Sequence, residues 1–165
     1  MRTLLLLRHA KSSWKEQGLA DHGRPLNRRG KRDAPRMGRL LNVEGLVPDR
    51  IVSSTANRAR TTALKVAEEC GYGKAIEINE DLYLATPEDQ LAVLRDLYFD
   101  EPCVMLVGHN PGLESLLYLL TGEDERLPTA ALAQISLDIE SWADLREHAG
   151  GILVNLWRPK ELDDD

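Results

Sequence analysis

The stretch Thr3-Leu4-Leu5-Leu6-Leu7-Arg8-His9 decides how the rest of the chain reads. A short apolar run closed by an arginine-histidine pair and followed by loop residues has the character of a buried strand of an α/β protein. The pattern recurs in Cys103-Val104-Met105-Leu106-Val107-Gly108, which ends at His109. Ligand sites of open α/β sheets form at the carboxyl ends of such strands. The chain has four histidines, and two of them stand at these ends, where they can face each other across one pocket.

Outward from these two runs, strands and helices alternate. Asn27 is the expected N-cap of a helix carrying Met37, Leu40 and Leu41 on its apolar face and closed by Gly45. Pro35 interrupts that helix and predicts a kink, or a restart near Asp33 with the proline in the first turn. Ile51 to Ser53 is a second short strand, followed by a helix from Asn57 to Cys70 that Gly71 and Gly73 end. Ala75 to Ile78 is a weak strand. Thr86-Pro87-Glu88-Asp89 combines a Thr cap, a proline at N1 and acids in the first turn, a strong helix start. After the Cys103 strand, Pro111 opens a helix that stops at Gly122. Ala133 to Ile139 alternates polar and apolar residues as an edge-like strand, and Ile152 to Trp157 is the final strand. The expected fold is a single three-layer α/β domain, a mostly parallel sheet with helices on both faces and antiparallel pairing at one edge. The domain is expected to span residues 1–160, with 161–165 an acidic tail that frays at Asp163-Asp164-Asp165.

The 165 residues suffice for one domain with a real core, and 42% hydrophobic with 29% charged residues is a globular composition. A net charge of −6 argues against a general nucleic-acid or anionic-membrane binder. An acidic chain that binds phosphate must concentrate positive charge locally, so each arginine's placement is informative. The apolar stretch after Arg2 is too short for a signal peptide, and no run approaches the ~20 residues of a membrane span. Cys70 and Cys103 read as free buried thiols in a reducing compartment. The expected location is the cytoplasm.

Arg8 adjoins His9, Arg24 lies in the loop after the first strand, and Arg58 and Arg60 open the helix after the second. The planar guanidinium matches phosphate oxygens bidentately, and a helix N-terminus adds backbone donors. Taken singly, each histidine fits a hydrogen-bonded structural role, and Arg58 and Arg60 fit solvated helix charges. The cluster Arg24, Arg28, Arg29, Lys31, Arg32 and Arg36 reads most simply as a solvated basic helix face, with Arg24 set apart because it precedes the helix. Zinc held by His9 and His109 with Asp21 or His22 lacks close ligand spacing. The Gly108-His109-Asn110-Pro111-Gly112 turn has no serine and is not a nucleophile elbow. Together the strand-end histidines and arginines point to phosphoryl chemistry. A neutral histidine attacks phosphorus while arginines neutralise the equatorial oxygens.

Four segments resemble one family. Leu5-Leu6-Leu7-Arg8-His9-Ala10 is similar to the opening R-H signature of the histidine phosphatase (phosphoglycerate-mutase-like) superfamily, with Ala10 where glycine is usual. Arg24-Pro25-Leu26-Asn27-Arg28-Arg29-Gly30 resembles its R-P-L loop. Ser54-Thr55-Ala56-Asn57-Arg58-Ala59 and the threonines that follow resemble its S-x-x-x-R-A motif. Leu106-Val107-Gly108-His109-Asn110-Pro111 resembles its second-histidine motif. Within the superfamily, the short chain, Lys11-Ser12-Ser13-Trp14 and the G-H-N-P-G turn resemble SixA-type phosphohistidine phosphatases. The resemblance implies a phosphoglycerate-mutase-like fold. His9 is then the nucleophile, Arg8, Arg58 and His109 hold the phosphoryl oxygens, and Arg24 is a further ligand. It sets the pocket arginine at Arg58 rather than Arg60, and points to Glu80 as general acid with Asp21 as the competing candidate.

The resulting expectation is a phosphatase that uses no metal or other cofactor and works through a phosphohistidine intermediate, acting on phosphohistidine in proteins. Two alternatives stand beside it. One is a small-molecule phosphatase of the same superfamily acting on phosphorylated metabolites, esters or anhydrides. The other is a module that binds phosphorylated partners without turnover, for which a nucleophilic histidine has no use. No nucleic-acid or membrane partner is expected, and the residues do not fix the oligomeric state.

Overall fold

In the computed structural model the described residues are 1–98 and 100–162. Six strands form one sheet: β1 (Arg2–Arg8), β2 (Arg50–Ser54), β3 (Glu77–Asn79), β4 (Cys103–Gly108), β5 (Leu132–Leu137) and β6 (Ile152–Trp157), in the spatial order β3-β2-β4-β1-β5-β6. The first four are mutually parallel, and β5 runs antiparallel to both β1 and β6. The helices are α1 (Arg28–Val43), α2 (Asn57–Cys70), α3 (Pro87–Arg95) and α4 (Gly112–Thr121).

The leucines of β1 explain the layering. Successive strand side chains point to opposite faces, so Leu5 and Leu7 join Met37, Leu41, Ala63 and Val66 in a core beneath α1 and α2. Leu4 and Leu6 join Leu91, Leu94, Leu113 and Leu117 beneath α3 and α4. All four leucines are at most 1% exposed. Burial on both faces is what a run without alternation requires.

β1 and β4 pair in register from Thr3↔Cys103 to Arg8↔Gly108. After β1 the chain leaves to α1 on one face, and after β4 it leaves to α4 on the other. This divergence of connections from adjacent parallel strands opens the crevice in which doubly wound sheets bind ligands.

Several local expectations need correction. α1 neither ends nor restarts at Pro35; it runs unbroken from the Asn27 cap, whose side chain accepts from the Gly30 N–H at 2.9 Å. The face bearing Ala34, Met37 and Leu41 is buried, and that burial outweighs one missing backbone donor. The strand expected at 133–139 is not an edge: Leu132–Leu137 lies between β1 and β6, and β6 and the short β3 are the two edges. β3 covers only Glu77–Asn79, later than the 75–78 expected, because only those residues pair with Val52–Ser54. α3 is capped by the expected Thr86, in a reciprocal box with Asp89, and ends at Arg95. Beyond β6, Pro159–Glu161 forms a 3-10 turn and Leu162 packs against the core under α1. Asp163 to Asp165 lie outside the described residues. Cys70 and Cys103 are free thiols, and burial pushes both up, Cys103 to about 12. No described helix is long and apolar enough to cross a membrane.

Candidate active site

His9 and His109 extend the paired ends of β1 and β4, and their rings stand 5.2 Å apart between centroids. The His9 N–H still donates to the Gly108 carbonyl at 3.1 Å, so the sheet ladder fixes its backbone. His9 Nδ1 lies 2.7 Å from the Ala10 carbonyl. A carbonyl only accepts, so Nδ1 carries the ring proton and Nε2 keeps its lone pair. Burial, with Arg58, Arg8 and Arg24 nearby, lowers the His9 pKa to about 4, and the ring is neutral at neutral pH. A buried neutral ring oriented by Nδ1–H and bare at Nε2 has the form that attack on phosphorus requires.

His109 is held from its other side. Its Nε2 lies 2.8 Å from Ser54 Oγ at the end of β2, while Nδ1 is buried with no hydrogen-bond partner among the described residues. Ser54 Oγ also accepts from the Ala56 N–H at 3.2 Å. When its own hydroxyl donates to His109 Nε2, the proton of the neutral ring sits on Nδ1, as a donor. Burial lowers the His109 pKa to about 3, with His9 adding to the effect.

The arginines converge from three segments. Arg8 Nη1 donates to the Leu127 carbonyl at 3.1 Å, and Asn110 and Glu114 hold that same segment in place. Arg58, on the first turn of α2, is 3% exposed. Arg24 is buried, donating to Ser12 Oγ at 2.8 Å with its guanidinium 3.4 Å from the centre of the Trp14 ring. Nε of both Arg8 and Arg58 is buried without a partner among the described residues. Unmet buried donors are costly, and a multidentate anion offsets that cost. The two ends of the site are tied together by Thr62, whose Oγ1 accepts from Ala10 N at 2.9 Å and donates to the Arg58 carbonyl at 2.7 Å.

The model of the histidine phosphatase superfamily (branch 1) matches residues 4–83. A provisionally assigned phosphohistidine phosphatase SixA from Agrobacterium tumefaciens superposes with a TM-score of 0.82 at 30% identity, covering 96% of this chain and 98% of that one. The chain belongs to the histidine phosphatase superfamily and is of the SixA type. A second provisionally assigned SixA, from Nakamurella multipartitia, gives a TM-score of 0.82 at 27% identity over 96% of both chains. An uncharacterized chloroplastic protein of Arabidopsis thaliana is 34% identical over 152 residues, 87% of this chain and 70% of that protein.

The backbone of this histidine phosphatase tolerates alanine after His9. Ala10 is not among the described non-glycine residues with positive φ, and its methyl is buried in the core under α1. The glycine that the R-P-L loop does require is Gly30, where a Cβ would stand 2.1 Å from the Lys11 carbonyl oxygen. That close approach presses the loop after His9 onto α1.

The acid–base candidates separate. Asp21 is 42% exposed at its side chain, yet it receives Arg58 Nη2 at 3.0 Å, Arg24 Nε at 3.1 Å and the Tyr83 hydroxyl at 2.5 Å. The Tyr83 hydrogen bond above all, with the two arginines, lowers its pKa to about 2. Asp21 in turn raises Tyr83. Glu80 is exposed, and its segment reaches the histidines through Tyr83 instead, which packs edge-on to His109 with centroids 5.5 Å apart. Arg60 is exposed, on the far side of the helix from buried Arg58. Among the described residues no three His, Cys, Asp or Glu side chains cluster as metal ligands.

Sequence reasoning did not single out Tyr83, Ser54 or Thr62. Ser54 and Thr62 carried a signal as members of the motif around Arg58, whereas for Tyr83 the signal was its place three residues from Glu80.

Proposed function

We propose that this phosphatase acts in the cytoplasm on phosphohistidine in proteins, without a metal, through a phosphoryl group carried transiently on His9 Nε2. The observation that carries the reading is the His9 Nδ1–H···O=C bond to Ala10, which leaves Nε2 bare within a buried, arginine-lined site. In the first step the Nε2 lone pair forms a bond to phosphorus as the bond from phosphorus to the substrate's imidazole breaks. Arg8, Arg58 and His109 bind the equatorial oxygens, with Arg24 at the rim, where charge builds in the transition state. Water then attacks phosphorus, the P–Nε2 bond breaks, the water's proton passes to a phosphate oxygen, and His9 returns to neutrality.

The leaving group supports the substrate class. Phosphohistidine protonated on its other ring nitrogen departs as neutral imidazole and needs no further proton, whereas an alkoxide requires one. Asp21, bound to two arginines with its pKa near 2, is a carboxylate at neutral pH, and Glu80 is exposed. The 165-residue chain, with no large cap insertion, supports access for a side chain presented by another protein.

Brief reaction with 32P-phosphohistidine peptide, stopped in alkali, tests the intermediate. Label recovered on His9, and its loss with activity in His9→Ala, is the expected result. Full activity in His9→Ala would overturn the mechanism.

A further inference from the structure

We propose that the basic face of α1 is a docking surface for an acidic region of the partner protein that carries the phosphohistidine. This rests on the protein-substrate reading above and adds what selects the partner. Between Arg28 and Arg39 the chain has six basic residues and one acid, although overall it carries 27 acidic against 21 basic residues. This segment of the chain therefore has the opposite sign to the chain's net charge of −6.

Two adjoining hollows make up this surface. One, of about 240 Å³, is lined by Arg29, Arg32, Arg36, Thr129 and Lys160. The other, of about 560 Å³, is bordered by Lys15, Arg28, Arg29 and Arg32. Arg29 and Arg32 line both, so the hollows are neighbours along α1. From Arg28 to Arg36 they follow about 12 Å of helix, an extent that suits a protein surface rather than one small anion.

The arginines are fanned around a single buried carboxylate. Asp33, 4% exposed at its side chain, pairs with Arg36 Nη1 at 3.3 Å, Arg32 Nε at 3.4 Å and Arg29 Nε at 3.9 Å, and Arg29 Nη2 also donates to Thr129 Oγ1 at 3.2 Å. One buried carboxylate thus positions three guanidinium groups, of which Arg29 and Arg32 are exposed to solvent. Preorganised side chains lose less entropy on binding.

The face also abuts the reaction centre on two sides. Thr129 precedes Ala130, whose N–H donates to the carbonyls of Arg8 and His9 at 3.1 and 3.0 Å. Asn27, at the border of the second hollow, donates to the carbonyl of Lys11, two residues after His9. A partner with its phosphohistidine in the pocket would lie across this face, where acidic side chains raise both the association rate and the affinity.

The test uses the triple variant Lys15→Glu, Arg28→Glu, Lys160→Glu, which spares Asp33 and its three arginines. Substrates are two phosphohistidine peptides of one core sequence, flanked by Asp/Glu or by Ser/Gly, and an aryl phosphate. Wild type should favour the acidic peptide at least tenfold in kcat/KM, through KM, with the preference fading at 0.5 M salt. The variant should lose that preference while the neutral peptide and aryl phosphate stay within about twofold. Equal use of both peptides by wild type, or equal loss on both in the variant, would overturn the proposal. A direct measurement separates this inference from the substrate reading. Anisotropy of the fluorescein-labelled acidic peptide without phosphate should show binding to wild type and not to the variant. Binding without turnover of any phosphohistidine peptide would sink the substrate reading and leave the surface. Tighter binding of a single-stranded oligonucleotide than of the acidic peptide would overturn the assignment to a protein partner.

Discussion

Asp21→Asn separates the two chemistries open to this site. Asn keeps the size of the side chain and one acceptor oxygen, and removes the charge that Arg58, Arg24 and Tyr83 hold. With the Asp21 pKa at about 2, only about one molecule in 10⁵ carries a protonated Asp21 at pH 7, too few for a direct general acid. The displacement from 3.8 to about 2 nominally corresponds to between 2 and 3 kcal/mol, but with the side chain 42% exposed solvent screening reduces this to roughly 1 kcal/mol or less. The stabilisation is present above the unfolded pKa near 3.8 and is lost as pH falls toward 2. At pH 7, therefore, Asp21→Asn should lower Tm by only about 2–4 °C. Turnover of a phosphohistidine peptide should change by less than about fivefold, and a sugar phosphate should be a poor substrate of both forms. Steady-state kinetics on the two substrates, with thermal unfolding of each protein, make the comparison. Rapid wild-type hydrolysis of the sugar phosphate, falling ~10²-fold or more in Asp21→Asn or Glu80→Gln, would refute the reasoning and assign that carboxylate the acid's role.

Arg58→Ala should reduce kcat/KM at least ~100-fold, the scale of one lost transition-state donor, while Arg60→Ala, exposed on the opposite side of the helix, should stay within a fewfold; the reverse order would misplace the pocket arginine. Activity should survive exhaustive chelation, and vanadate should inhibit; loss on chelation that zinc or magnesium restored would favour a metal mechanism. His9 and His109 have folded pKa values of about 4 and 3 against 6.5 for a free ring, so protons bind preferentially to the unfolded chain between those limits. Stability should accordingly be complete above pH 6.5 and fall on acidification, by about 2 kcal/mol per ring at pH 5. Urea unfolding at pH 7 and 5 measures this, and His9→Gln should flatten the dependence; a midpoint insensitive to pH would show the rings to be solvated.

Much of this molecule was legible in one dimension because its signals are local. Four apolar residues in a row at Leu4–Leu7 demand burial on both faces, so a strand covered by helices on both sides follows without tertiary information. Asn27, Thr86 and Gly122 mark helix ends because a cap is made by residues within one turn of each other. The strand-end positions of His9 and His109 likewise follow from chain order. Pairing is different. Polar alternation in 133–139 suggests an edge, and only the folded sheet reveals that Leu132–Leu137 is flanked by β1 and β6. Pro35 reads as a break because the missing N–H is local, whereas the burial that carries α1 through it is not. The decisive chemistry is of this second kind. Arg58 and Asp21 are 37 residues apart and Tyr83 and Asp21 are 62 apart, and no spacing rule connects them. Sequence alone singled out His9, His109, Arg8 and Arg58 as candidates for the chemistry; only the fold decided which His9 nitrogen bears the proton and which carboxylate the arginines hold, because both depend on partners brought together by the tertiary structure.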